Sequence, residues 1–131
     1  MPERAHDWLI QARRDLENAR HSRNGGFFEW AAFAAQQSAE KGLKAVYQHL
    51  GADAWGHSVL RLLEGLAERV AVQPGLLRAG RDLDRHYVPA RYPNGWAEGA
   101  PTQMYTLEDA DGAIAGAETI LRFCDGLLAG S

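Results

Sequence analysis

Apolar positions recur at three- and four-residue intervals along most of this chain. Residues 5 to 22 place Ala5, Trp8, Leu9, Ala12, Leu16 and Ala19 on one side, with Arg13, Arg14, Glu17 and Arg20 opposite. That spacing predicts an amphipathic helix, and Asn24-Gly25-Gly26 ends it in a turn. A second and longest helix is expected over 27 to 50, between Gly26 and Gly51. Ala32, Ala39, Leu43, Val46 and Leu50 form one strip of it, and Ala31, Ala35, Ser38, Gly42 and Ala45 form a neighbouring strip of small side chains that lets another helix come close. Its first half is apolar on most sides, which marks it as the central helix; Gln36, Gln37, Glu40, Lys41 and Lys44 bring polarity from the middle onward.

After a loop over 52 to 57, Ser58 is placed to cap a third helix running to about Val70, with Val59, Leu62, Leu63, Leu66 and Val70 inward. Pro74 suits the first turn of a fourth, shorter helix to about His86. In residues 87 to 105 Pro89, Pro93, Asn94, Gly95, Gly99 and Pro101 break every periodicity. A loop of that length is either functional or disordered, and Tyr87, Tyr92, Trp96 and Tyr105 predict an ordered flap, with Trp55 a candidate to join them. Thr106 and Asp109 stand in capping-box positions for the last helix, whose stripe runs through Leu107, Ala110, Ile114, Ala117, Leu121, Cys124 and Leu128. No strand-like alternation competes. The expected fold is all-α: an up-and-down antiparallel helical bundle of four long helices plus one short helix and a long ordered loop, in a single domain spanning residues 1–131.

At 131 residues and 46% hydrophobic, the chain can bury one core. The polar start Met1-Pro2-Glu3-Arg4 predicts no leader, and no run of 18 apolar residues exists to cross a membrane. The single cysteine, Cys124, excludes an internal disulfide and falls on the inward stripe of the last helix, as a small core residue would. A cytoplasmic protein is expected. The net charge of −3 gives no global pull toward nucleic acid. Among the basic residues, 12 arginines stand against 2 lysines, Lys41 and Lys44, three positions apart.

The run Ala34-Ala35-Gln36-Gln37-Ser38-Ala39-Glu40-Lys41-Gly42-Leu43-Lys44-Ala45 resembles the signature of HEPN (higher eukaryotes and prokaryotes nucleotide-binding) domains. Three further features agree in order and spacing. Gly51 and His57 precede a leucine-rich helix; Leu83-Asp84-Arg85-His86-Tyr87-Val88-Pro89 leads into Arg91-Tyr92-Pro93-Asn94; and Tyr105-Thr106-Leu107-Glu108-Asp109-Ala110 opens the last helix. The likeness covers residues 5 to 128. It implies a helical bundle, commonly a homodimer, often acting with a minimal nucleotidyltransferase in a two-component module of toxin–antitoxin type. It also implies that ribonuclease members carry an arginine followed four to six residues later by a histidine.

Arg81-Asp82-Leu83-Asp84-Arg85-His86 fits that pattern, which makes Arg81 and His86 the catalytic candidates. An imidazole can move the proton of a ribose 2′-hydroxyl, and a guanidinium can stabilise phosphorane charge. Five residues apart, the two side chains lie about 140° apart on an ideal helix. They converge only if the helix ends near His86 or a second copy completes the site. Two departures stand against the match. Tyr87 follows the histidine immediately, whereas the ribonuclease members paired with nucleotidyltransferases often carry a tyrosine two places after it. The segment also fits an Arg-Tyr-Pro branch, in which a tyrosine can occupy the place of His86.

Lys41, Lys44, Arg85, Arg91 and Tyr92 are the candidates for holding a nucleotide or phosphate. The alternative for Gln37, Glu40, Lys41 and Lys44 is an ion pair or a polar network that docks the loop, with Glu40 and Lys44 at the favourable four-residue spacing. Arg78, Arg81 and Arg85 form a basic stripe on the fourth helix that Asp82 and Asp84 partly neutralise. His6, His21, His49, His57 and His86 are scattered, so no metal site and no cofactor is expected. The residues thus point to a nucleotide- or RNA-associated interaction module; a metal-independent endoribonuclease and a small-molecule-binding bundle are the alternatives.

Overall fold

The computed structural model describes residues 4–130, so the Met1-Pro2-Glu3 start lies outside the described residues. Three long helices carry the bundle: α1 (Ala5–Asn24), α2 (Phe28–Leu50) and, at the C-terminal end, α6 (Leu107–Ala129). Between them stand α3 (Val59–Leu66), α4 (Pro74–Asp84) and the single turn α5 (Pro101–Met104). The described residues contain no strand. The all-α bundle is therefore present, and its core runs through all of the longer helices.

Helix α2 is the central element. It packs along α1 and α6 and also touches α3, α4 and α5. The small-residue strip explains this: Ala31, Ala35, Ser38, Gly42 and Ala45 are all buried. At Gly42 an added Cβ would collide with the Leu121 side chain of α6, so glycine sets how closely those helices approach. The Ser38 hydroxyl, buried between α1 and α2, donates to the Ala12 carbonyl at 2.7 Å, which leaves that buried oxygen satisfied. Gly51 ends α2 in the left-handed conformation at φ 68°, the usual C-terminal use of glycine. Cys124 is fully buried in α6, and burial pushes its thiol pKa up, as expected of an inert core residue.

The third helix stops at Leu66, short of Val70, although Val70 still packs against the core. Turn-type bonds close it, from Arg69 N–H to the Leu66 carbonyl at 2.9 Å and from Glu68 N–H to the Gly65 carbonyl at 3.4 Å. Pro74 then requires an extended Gln73, which has φ −68° and ψ 147°. Helix α4 ends at Asp84, and His86 sits in the turn just beyond.

Residues 87 to 105 are ordered. The Trp96 indole N–H donates to the Pro89 carbonyl at 2.7 Å, and the Gln103 side chain accepts from Ala100 N–H at 2.9 Å to start α5. The capping box on α6 forms as the residue spacing predicts, with Asp109 N–H on Thr106 Oγ1 at 3.2 Å and Thr106 N–H on Asp109 Oδ2 at 2.9 Å. Trp55 does not join the flap's ring contacts and is 79% exposed.

Candidate functional site

The turn after α4 sends two adjacent rings into different environments. His86 faces the flap and α6, while Tyr87 faces Phe33 in the first half of α2 and His57 of the 52–58 loop.

On the first side, a cleft of about 630 Å³ opens between α4, α6 and the flap. His86 lines it, and its Nδ1 lies 2.7 Å from the Tyr105 hydroxyl. Trp96 meets the Tyr105 ring edge-on, with centroids 5.8 Å apart. Burial lowers the His86 pKa below 6.5, with Arg85 adding to the effect and Asp109 and Asp82 opposing it. Burial also drives the Tyr105 pKa well above 10, reinforced by Asp109 and Glu29, so the phenol keeps its proton. A neutral imidazole is thus pinned at one nitrogen by a neutral hydroxyl. Its Nε2 makes no hydrogen bond within the described residues. Such a ring is oriented to accept or donate one proton to a molecule in the cleft.

Arg78 and Arg85 line the same cleft, and so do Asp82 and Glu108. On α6 the lining is completed by Asp109, Gly112, Ala113 and Gly116. Arg81 is exposed and outside the lining, so one chain does not bring Arg81 and His86 into a common cleft. The stripe on α4 is also less neutralised than its sequence suggests. Asp84 turns away to the start of α3, where it accepts from Ser58 Oγ at 2.7 Å, Val59 N–H at 2.8 Å and Leu60 N–H at 3.0 Å. Asp82 reaches Arg85 only at 3.6 Å. Arg78 and Arg81 have no carboxylate within 4.0 Å among the described residues.

On the second side, a polar seam runs along α2. The Glu40 side chain is 4% exposed, and its Oε2 lies 3.0 Å from Lys44 Nζ and 3.1 Å from His57 Nδ1. Gln37 donates to Glu40 Oε1 at 3.3 Å and to Gln36 Oε1 at 2.9 Å, and the fully buried Gln36 donates to the His57 carbonyl at 2.8 Å. This seam ties the 52–58 loop to the central helix. The His57 ring stacks on Tyr87 at 5.1 Å and 16°. Tyr87, Phe33 and Tyr92 surround the Arg91 guanidinium, at 4.5, 4.5 and 5.0 Å from the ring centroids. The Arg91 Nε donates to the Tyr87 carbonyl at 2.7 Å.

Lys41 faces α1, paired with Asp15 at 2.6 Å, and Lys44 lies 5.8 Å from the Trp8 ring. The two lysines thus stabilise the α1–α2 seam; Lys44 is linked to Arg91 only indirectly, through Glu40, His57 and Tyr87, and Lys41 is not part of that chain of contacts. Tyr105 and His57 stand in the sequence motifs but not among the candidate site residues, because their partners lie 19 and 17 positions away. Among the described residues no three His, Cys, Asp or Glu side chains come together in a metal-ligating group. No helix there is long and apolar enough to cross a membrane.

The class defined by this architecture is an all-helical bundle whose central helix bears a buried polar seam and whose final helix shares a cleft with a returning flap. The chain belongs to the HEPN domain family, whose profile matches residues 5–127. It is similar to the crystal structure of TT1696 from Thermus thermophilus, at 43% identity and a TM-score of 0.93, over 96% of this chain and 99% of that one. It is also similar to ST0689, an archaeal HEPN homologue, at 40% identity and a TM-score of 0.81, over 96% and 98%. A HEPN domain protein from Thermotoga maritima shares 37% identity at a TM-score of 0.78, over 95% and 98%. No curated protein matches the chain.

Proposed function

We propose that this protein is a nucleotide- or RNA-associated interaction module whose ligand occupies the cleft between α4, α6 and the flap. The observation that carries this reading is the His86 ring, anchored at Nδ1 by Tyr105 beside Arg78 and Arg85. A phosphate finds two guanidiniums there, a base finds Trp96, and a ribose hydroxyl finds the free imidazole nitrogen. The module works as a homodimer. Support comes from apolar side chains left in solvent, among them Ile10, Phe27, Val88, Met104 and Leu107. A minimal nucleotidyltransferase is the proposed partner, in a two-component system of toxin–antitoxin type; the family resemblance supports this.

The second reading is a metal-independent endoribonuclease using Arg81 and His86. The free Nε2 of His86 favours it, and the position of Arg81 outside the cleft weighs against it. Only a second copy could bring its Arg81 to this cleft, so the interaction module comes first.

Calorimetric titration with purine and pyrimidine nucleoside triphosphates tests the proposal. Saturable binding by the wild type, weakened at least about tenfold in Arg85→Ala and His86→Ala, is the expected result. Equal binding by both variants would move the ligand out of this cleft.

A further inference from the structure

Arg91 is prepared for a ligand that the cleft does not contain. Its planar face is packed by three aromatic rings and its Nε is fixed on the Tyr87 carbonyl. The terminal guanidinium nitrogens donate to nothing among the described residues, and no carboxylate lies within 4.0 Å. Arg13, Arg20 and Arg23 of α1 each reach a carboxylate of α6 at 2.7 to 2.9 Å, and Arg91 differs from the equally unpaired Arg78 and Arg81 in being held between rings. Glu40, the carboxylate in the adjoining network, is buried and engaged by Lys44 and His57. An oriented guanidinium with its fork free is built for a two-point contact with an oxyanion.

The rings around it extend the surface. Trp30 packs edge-on against Phe33 at 6.3 Å, and Phe33 meets Tyr87 at 6.2 Å, which in turn stacks on His57. Trp30 and Tyr92 keep 47% and 49% of their surface in solvent. Successive rings at unequal tilts, 83° and 41°, suit bases that are splayed apart and do not suit a duplex, whose bases are already stacked. Rings that take bases beside a fork that takes a phosphate describe one ligand chemistry.

We infer that the strip Trp30–Phe33–Tyr87–His57 and the guanidinium of Arg91 form a second binding surface, distinct from the His86 cleft, for single-stranded nucleic acid. Arg91 grips a backbone phosphate, and Trp30 and Tyr92 take bases by stacking. The inference rests on the nucleic-acid side of the function proposed above, and it assigns the strand to a different face of the flap.

The test is fluorescence anisotropy with a labelled oligouridylate, repeated over a range of salt concentrations and against an RNA duplex. Trp30→Ala is the safest variant, because the ring is half exposed. It should weaken single-strand binding about 5- to 150-fold, the loss of one stacked base. Arg91→Ala should make the plot of log K against log salt shallower by about 0.7, the loss of one phosphate contact on a single strand. Arg91→Lys should not restore affinity, because the ammonium lacks the fork and the stacking plane. Nucleoside triphosphate titration into the cleft should stay unchanged in all three variants, and single-strand binding should persist in His86→Ala. Wild-type strand affinity in both Trp30→Ala and Arg91→Lys would overturn the inference, and so would a duplex that binds as tightly as the single strand. A Trp30→Ala protein whose oligomeric mass changes while strand binding holds would overturn it too, by making this face a protein contact.

Discussion

The carboxylate of Asp84, the last residue of α4, accepts the Ser58 hydroxyl at 2.7 Å and so holds the cap of α3 in place. It also takes the Val59 and Leu60 amides, two donors that the first turn of α3 cannot satisfy internally. Ser58 Oγ in turn accepts from Arg61 N–H at 3.1 Å. A negative charge at that end is further favoured by the helix dipole. Asp84→Ala should therefore cost about 2 kcal/mol of stability, with Asp84→Asn intermediate. Urea unfolding followed by helix ellipticity measures it. A loss under about 0.5 kcal/mol, the usual scale of a surface change, would mean the cap is not held this way.

Glu40 and Lys44 make a nearly buried pair, with 4% and 14% of their side chains exposed. Removing one partner of such a pair strands the other, which costs about 3 kcal/mol. Glu40→Ala should lower the melting temperature by on the order of 10 °C. The Glu40→Ala/Lys44→Ala double variant should lose less than the sum of the single losses, because no charge is left unpaired. Additive losses would show that the two residues act independently.

The lowered pKa of His86 makes stability depend on pH in a defined direction. The folded ring stays neutral below 6.5 while the unfolded ring takes up a proton, so the unfolded chain binds more protons in that window. The contribution is intact above pH 6.5 and is lost as pH falls from 6.5 toward the depressed folded value. Unfolding midpoints measured from about pH 7.5 down to about 5 should fall in the wild type and fall less in His86→Gln. Identical slopes would remove the buried neutral ring from the account.

The long helices α1, α2 and α6 were legible in the sequence because their apolar residues keep the helical period over turn after turn. The end of α3 was not, since Val70 continues the apolar pattern after the helical bonds have stopped at Leu66. Likewise the turn α5 hides among Pro101, Gly99 and Pro93, where periodicity has nothing to count. His86 stands out by its motif, whereas Tyr105 reaches it only through the folding-back of the flap. Asp84 misleads for a similar reason. Its neighbours in sequence are arginines, but its partners lie 24 to 26 residues earlier. Sidedness on α4 also decides the fate of Arg81, which shares the motif with His86 and not the cleft.

If the homodimer forms, light scattering at micromolar concentration should give about twice the 14.4 kDa chain mass. A mass of one chain at that concentration would remove the route by which an arginine from a second copy could face His86.

On the function proposed above, a nucleotide held in the α4–α6 cleft lies against His86. Nuclear magnetic resonance of the histidine and tryptophan rings reads it most directly, during titration with a nucleoside triphosphate near neutral pH. Saturable shifts of the His86 ring and the Trp96 indole N–H are expected, following one binding curve that Arg85→Ala displaces to higher concentration. Signals of His86 and Trp96 that stay fixed while the nucleotide binds elsewhere, or while it does not bind at all, would contradict it.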